Sequence, residues 1–211
     1  MNRLEPNLFI RQSLLEGPED TKFDVKDLEE ATYRDLISNM DPNTYYHSTN
    51  DKFERPKPKY PQIAGKAAMK PQGFWAAKGN EWVSWCSSEM PHWLTRYIYK
   101  LDVDVQDPSI LKLTGSMRDF GTSYVDMTTE GNMFVQNYND NTSLFWKPLE
   151  NRYKGIAVDD PHGLSMNDYS DCQFLYSWDV SSIVLWDTSV LKGYTLAYEY
   201  NEETKRYEKR D

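Results

Sequence analysis

With 211 residues, 39% of them hydrophobic and 27% charged, the chain is long enough for one sizeable core and too apolar for disorder. Its net charge of -9 lacks the basic footprint of a protein that grips phosphate backbones, and no apolar run approaches a membrane span. Stable nucleic-acid binding and membrane association are therefore not expected.

The opening Met1-Asn2-Arg3-Leu4-Glu5-Pro6 lacks the apolar core of a signal peptide. The two cysteines, Cys86 and Cys172, are expected as free thiols in a cytosol, either that of the chain's own cell or that of a host. Residues 1–20 are broken by Pro6, Gly17 and Pro18. From Asp24 the spacing of Leu28, Ala31, Tyr33, Leu36 and Ile37 predicts a helix that Asp41-Pro42 ends. Residues 1–42 thus read as a helical extension packed on the body.

Thr44 to Ser48 reads as a strand, and residues 50–72 as a long exposed loop rich in Lys, Arg and Pro. Gly73-Phe74-Trp75-Ala76-Ala77 is a short strand that turns at Lys78-Gly79-Asn80. Asn80 is placed to cap a helix on which Trp82 and Trp85 fall three apart on one face. Tyr97 to Val105 alternates apolar and polar residues as a half-buried strand does, and Ile110 to Leu113 is another short one. Arg118 to Tyr124 reads as a short helix or turn, Met133 to Tyr138 as a strand and Trp146 to Tyr153 as a helix. A strand follows from Gly155 and runs into a turn at Asp159-Asp160-Pro161, with further strands on both sides of Asp179 and at Thr195 to Tyr200, before a frayed charged tail over 201–211. Short strands with few short helices define an α+β fold with mixed or antiparallel sheets.

His47, Ser48 and Thr49 close the first strand, Gly73 to Ala77 form the second, and Trp85-Cys86 sits on the helix that follows. This order resembles the ADP-ribosyltransferase superfamily, in its diphtheria-toxin and poly(ADP-ribose) polymerase branch. There the corresponding motifs are His-Gly-Ser/Thr, Gly-Ile-Tyr-Phe-Ala and Tyr-Cys. Lys70 to Trp75 together with Tyr176-Ser177-Trp178-Asp179 also resembles a group of viral, fungal and bacterial proteins related to that superfamily. The resemblance spans roughly residues 43–191 and implies an ADP-ribosyltransferase-like domain over 43–200 with a split two-sheet core.

The resemblance further implies NAD as co-substrate, cleavage of the nicotinamide–ribose bond, and transfer of ADP-ribose to an acceptor, a protein side chain. Such a bond breaks through an oxocarbenium-like state that needs a ring platform, an oriented ribose and a carboxylate. By resemblance His47 bonds the adenosine ribose and the backbone at Ser48 takes the nicotinamide amide. Thr49, Gly73 and Phe74 complete the NAD site, and Trp75 and Trp85 flank nicotinamide. The basic residues Lys52, Arg55, Lys57 and Lys59 would meet the pyrophosphate.

The catalytic carboxylate is where the chain departs from the family, which carries a Glu. Asp179 is the matching acid, with Glu199 the alternative. Each assignment has a plain rival: His47 as a structural residue, Trp82 and Trp85 as a buried stripe, Asp179 as a turn residue. If neither carboxylate serves, the fold is kept as an inactive binding module. Asp159-Asp160 reads as a solvated turn, and Cys86 with His92 lacks zinc spacing. A Cys–His nucleophile at Cys86 or Cys172 has a local sequence that resembles no protease motif, so the second competitor is an unrelated structural or interaction protein with a β-rich aromatic core.

Overall fold

The computed structural model describes residues 30–57, 67–68, 70–113, 134–136, 142–163, 175 and 177–210. The expected start of the first helix at Asp24, the Arg118 to Tyr124 element and Cys172 lie outside them.

Helix α1 (Glu30–Asn39) buries Tyr33 and Leu36, three apart, with Met40 just past its end. Its last turn dissolves where Asn39 Nδ2 and Ser38 Oγ bond back to the Asp35 carbonyl. Asp41 then accepts from Asn43 N and Thr44 Oγ, which turns the chain into strand β1 (Tyr45–Thr49). Strands β2 (Ala67–Ala68) and β3 (Phe74–Lys78), helix α2 (Glu81–Ser88) and a 3₁₀ turn at Pro91–Trp93 follow. Beyond them come β4 (Tyr97–Val103), β5 (Ile110–Leu113), β6 (Phe134–Gln136), β7 (Thr142–Phe145) and helix α3 (Lys147–Arg152). The described chain ends with β8 (Gly155–Val158), β9 (Ser182–Leu185), β10 (Leu191–Asn201) and β11 (Arg206–Lys209).

Eight strands form one sheet in the order β11-β10-β4-β1-β3-β9-β8-β5, and β2-β7-β6 form a smaller one. Every pairing in the large sheet is antiparallel except β5 with β8. This is the mixed α+β architecture that the alternating strands predict.

The middle of the large sheet is unevenly joined. Strand β1 pairs with β4 over five residues and β3 with β9 over four, but β1 and β3 share only Tyr45↔Lys78 and Tyr46↔Ala77. Past those two pairs the strands part, and the His47 ring bridges the gap by bonding the Trp75 carbonyl at 2.6 Å. The sheet thus consists of two four-stranded halves joined at a short seam.

Strand alternation distributes the side chains between two faces. On one face Tyr45, Phe74, Ala76, Tyr99, Ile183 and Leu185 form a core. On the other, Tyr46, Val83, Cys86, Ile98 and Tyr198 pack with α1 and α2, while Trp146, Leu149, Ile156, Trp178 and Val184 gather around α3.

Three expectations change. Residues 206–209 are not a frayed tail: β11 pairs along β10, and Tyr207 OH reaches the Thr95 carbonyl at 2.6 Å. Residues 70–72 are not exposed loop: Pro71 is buried, and the Pro71 and Gln72 carbonyls accept from the indoles of Trp75 and Trp186. Asn80 heads α2 without capping it, because its amide is drawn to the Ile37 carbonyl on α1.

Candidate functional site

Two cavities open where β1 and β3 separate. The outer one, about 690 Å³, is lined by His47, Ser48 and Thr49 from β1, by Gly73 and by Phe74 and Trp75 from β3, and by Asp51, Phe53, Glu54, Arg55 and Lys57. Six residues expected at a nucleotide site therefore meet in one place. Gly73 admits no other residue there. Its φ is +155°, and a Cβ would lie 2.6 Å from Val184 and 3.0 Å from the Leu185 carbonyl.

The His47 ring stacks on Phe74 at 4.1 Å between centroids. Because a carbonyl only accepts, the bond to Trp75 O fixes a proton on Nδ1, and in the neutral ring Nε2 is an acceptor. Phe53 stacks on Tyr99 at 4.1 Å and meets Phe74 edge-on, forming an aromatic wall. The segment carrying it is tied down through the Glu54 carbonyl to Tyr194 and the Pro56 carbonyl to Thr188. Arg55 and Lys57 are exposed on the rim, whereas Lys52 pairs with Glu199 at 3.2 Å.

The inner pocket holds about 50 Å³ of free space, room for a few waters. Its walls are the indoles of Trp75, Trp82, Trp93 and Trp178, with Tyr46, Ser48, Thr95, Lys70 and Asp179. Ser48 and Thr95 bond hydroxyl to hydroxyl. Trp75 and Ser48 line both cavities, so the two adjoin at these side chains.

Asp179 stands just before β9, where Trp178 N bonds the Leu175 carbonyl in a tight turn. Among the described residues just before it, Leu175 and Ser177 lie in a 3₁₀ turn rather than in the strand expected on that side. Its carboxylate meets Lys70 Nζ at 3.3 Å, and the two side chains are only 20% and 14% exposed. The Lys70 ammonium also lies over the Trp75 ring, 5.7 Å from its centroid. Desolvation pulls the Lys70 ammonium below the usual lysine range, against the Asp179 carboxylate that sustains its charge.

Trp85 lines neither cavity: it stacks on Trp82 at 5.2 Å, and it is Trp82 that reaches the inner pocket. Glu199 also stays outside both, held between Lys52 and Arg210, each at 3.2 Å. Cys86 is fully buried, and its thiol is pushed far above its ordinary value by burial and the Asp179 charge, which argues against a nucleophile. Asp159 pairs with Lys78 at 3.0 Å, and among the described residues no cluster of His, Cys, Asp or Glu could hold a metal.

Lys70, Trp82, Trp93, Thr95 and Phe53 were not singled out as site residues from sequence. Of these, Lys70 has a signal in its place at the head of the Lys-Pro-Gln-Gly-Phe-Trp motif, and Trp82 one in sharing a helix face with Trp85. Comparison of the chain with protein-family models, curated proteins and solved structures gives no match.

Proposed function

We propose that the chain is an NAD-dependent mono-ADP-ribosyltransferase that cleaves the nicotinamide–ribose bond and transfers ADP-ribose to an acceptor, a protein side chain in a cytosol. The reading takes its fold to be ADP-ribosyltransferase-like. One observation carries it: two of the three short motifs that resemble that superfamily, at His47 to Thr49 and at Gly73 to Trp75, converge on one cavity, and Asp179 lines the pocket next to it.

The outer cavity, about 690 Å³, falls within the ~300–1,000 Å³ of small-molecule sites. In this reading His47 bonds the adenosine ribose, and Arg55 and Lys57 meet the pyrophosphate. Nicotinamide enters among the indoles of the inner pocket, which requires Trp75 or Trp82 to turn because the free space there is smaller than a ring. As the glycosidic bond breaks, its electron pair leaves with nicotinamide and positive charge develops on the ribosyl carbon. Asp179 stabilises that charge, and the acceptor's nucleophile then adds to the carbon and loses its proton.

The Lys70–Asp179 pair favours a second reading, an inactive binding module of the same fold, since the ammonium offsets the charge the reaction needs. Labelled NAD, incubated with the protein and a cell lysate, separates the two. The enzyme releases nicotinamide and labels protein, and Asp179→Asn lowers that rate about a hundredfold, the usual effect of removing one electrostatic stabiliser, while NAD still raises the melting temperature. Binding without release supports the module. No thermal shift with NAD would remove both.

A further inference from the structure

We propose that Lys70 sets the charge preference of the inner pocket, so that the pocket favours neutral nicotinamide, the departing group, over the cationic ring of bound NAD. The inference rests on reading that pocket as the place of nicotinamide.

A cationic ring is ordinarily held by an aromatic face and a nearby carboxylate. Here the protein's own ammonium already has both: Lys70 Nζ lies 5.7 Å from the Trp75 centroid and 3.3 Å from Asp179. A second cation in the same small space meets a like charge in a poorly solvated setting, where repulsion is strong. Uncharged nicotinamide meets no such repulsion. Trp178, which lines the pocket and whose indole N–H has no acceptor among the described residues, offers a donor suited to an amide oxygen.

The preference has a kinetic meaning. Nicotinamide in NAD is cationic, and when the ribosyl carbon–nitrogen bond breaks the electron pair stays on the ring nitrogen, which becomes neutral. Repulsion between Lys70 and the ring is present before cleavage and falls as the bond lengthens, so it lowers the barrier to the extent that Asp179, rather than Lys70, faces the ribosyl carbon where the charge reappears. The positive charge passes to the ribosyl carbon, where Asp179 acts. The ion pair therefore serves both fragments of the broken bond, the ammonium at the ring and the carboxylate at the sugar.

The test is calorimetric titration of the whole chain with nicotinamide and with 1-methylnicotinamide, its permanently cationic counterpart. The wild type is expected to bind the neutral compound more tightly. Lys70→Met should swing the ratio of the two affinities toward the cation by about ten- to a hundredfold, the size expected for like charges a few Å apart in protein. Lys70→Arg, which keeps the charge, should retain the wild-type order, and Lys70→Met with Asp179→Asn covers the case in which an unpaired Asp179 unfolds the single variant. A wild type that takes the cation at least as well, or a ratio unmoved by Lys70→Met, overturns the inference and leaves the nicotinamide pocket standing. Failure of every form to bind either compound removes the pocket's assignment and the inference with it.

Discussion

The two halves of the large sheet are built from different side chains. Strands β1, β4, β10 and β11 carry Tyr45, Tyr46, Tyr97, Tyr99, Tyr194, Tyr198, Tyr200 and Tyr207, whereas β3, β9, β8 and β5 carry no tyrosine and are filled with Ile, Val, Leu and Ala. Tyrosine gives the first half long reach. Its hydroxyls cross to other segments: Tyr46 to Asp41 N, Tyr198 to the Asn39 carbonyl, Tyr207 to the Thr95 carbonyl. The second half is dry and close-packed, with Ile156, Val158, Ile183, Val184 and Leu185 fully buried. The two halves share a core on one face but join backbone to backbone through only two residue pairs, and the cavities lie at that short seam.

The contrast is sharpened first in the aliphatic half. Ile183→Ala, at a fully buried position of β9, should cost about 3–4 kcal/mol in denaturant unfolding, because the neighbouring strands cannot collapse into the space. A cost below ~1 kcal/mol would mean that this half is loosely packed.

Alkali should strike the tyrosine half instead. Tyr45 and Tyr207 have pKa values raised from 10.0, in each case chiefly by desolvation, and the Cys86 thiol near Tyr207 is raised from 9.0 for the same reason. Above those ordinary values the unfolded chain sheds protons that the native state keeps, so stability held at neutral pH is lost as pH rises past about 10. Lys70 works the other way: its native value lies below 10.5, and it adds stability over that approach. Tyr33 and Tyr99 are raised as well, so five groups against one predict a melting temperature that falls steeply above pH 10, and a flat profile would contradict it.

The smallest effect belongs to a single crossing hydroxyl. Tyr207→Phe removes the bond to the Thr95 carbonyl, worth about 1 kcal/mol, and should soften the alkaline fall through loss of one titrating group. A change in stability with an unaltered alkaline profile would show that Tyr207 does not titrate as its burial requires.

Much of this arrangement is legible in the residues. The alternation of Tyr97 to Val103 and the run Ser182 to Leu185 announce their strands, and Trp82 and Trp85 do share one face of α2. Which indole enters the pocket is not legible, since it depends on how α2 rotates against the sheet, and that is fixed by Val83 and Cys86 packing on distant Ile98. The parting of β1 from β3 is equally hidden, because both strands alternate without interruption and only their partners reveal the gap. Lys70 stood in a basic, proline-rich stretch that reads as solvated. Its burial depends on Asp179, more than a hundred residues along the chain. Arg206-Tyr207-Glu208-Lys209 looked like a tail because a strand at a sheet edge can be mostly charged.

That last strand bears on how the protein behaves at high concentration. Strand β10 is eleven residues long and would offer a broad ribbon of unpaired backbone, studded with Leu196, Ala197, Tyr198 and Tyr200, to any neighbouring copy. Strand β11 covers the last four residues of that ribbon, Tyr198 to Asn201, and ends the sheet there in a short row carrying Arg206, Glu208 and Lys209, whose charge disfavours pairing with a neighbouring strand.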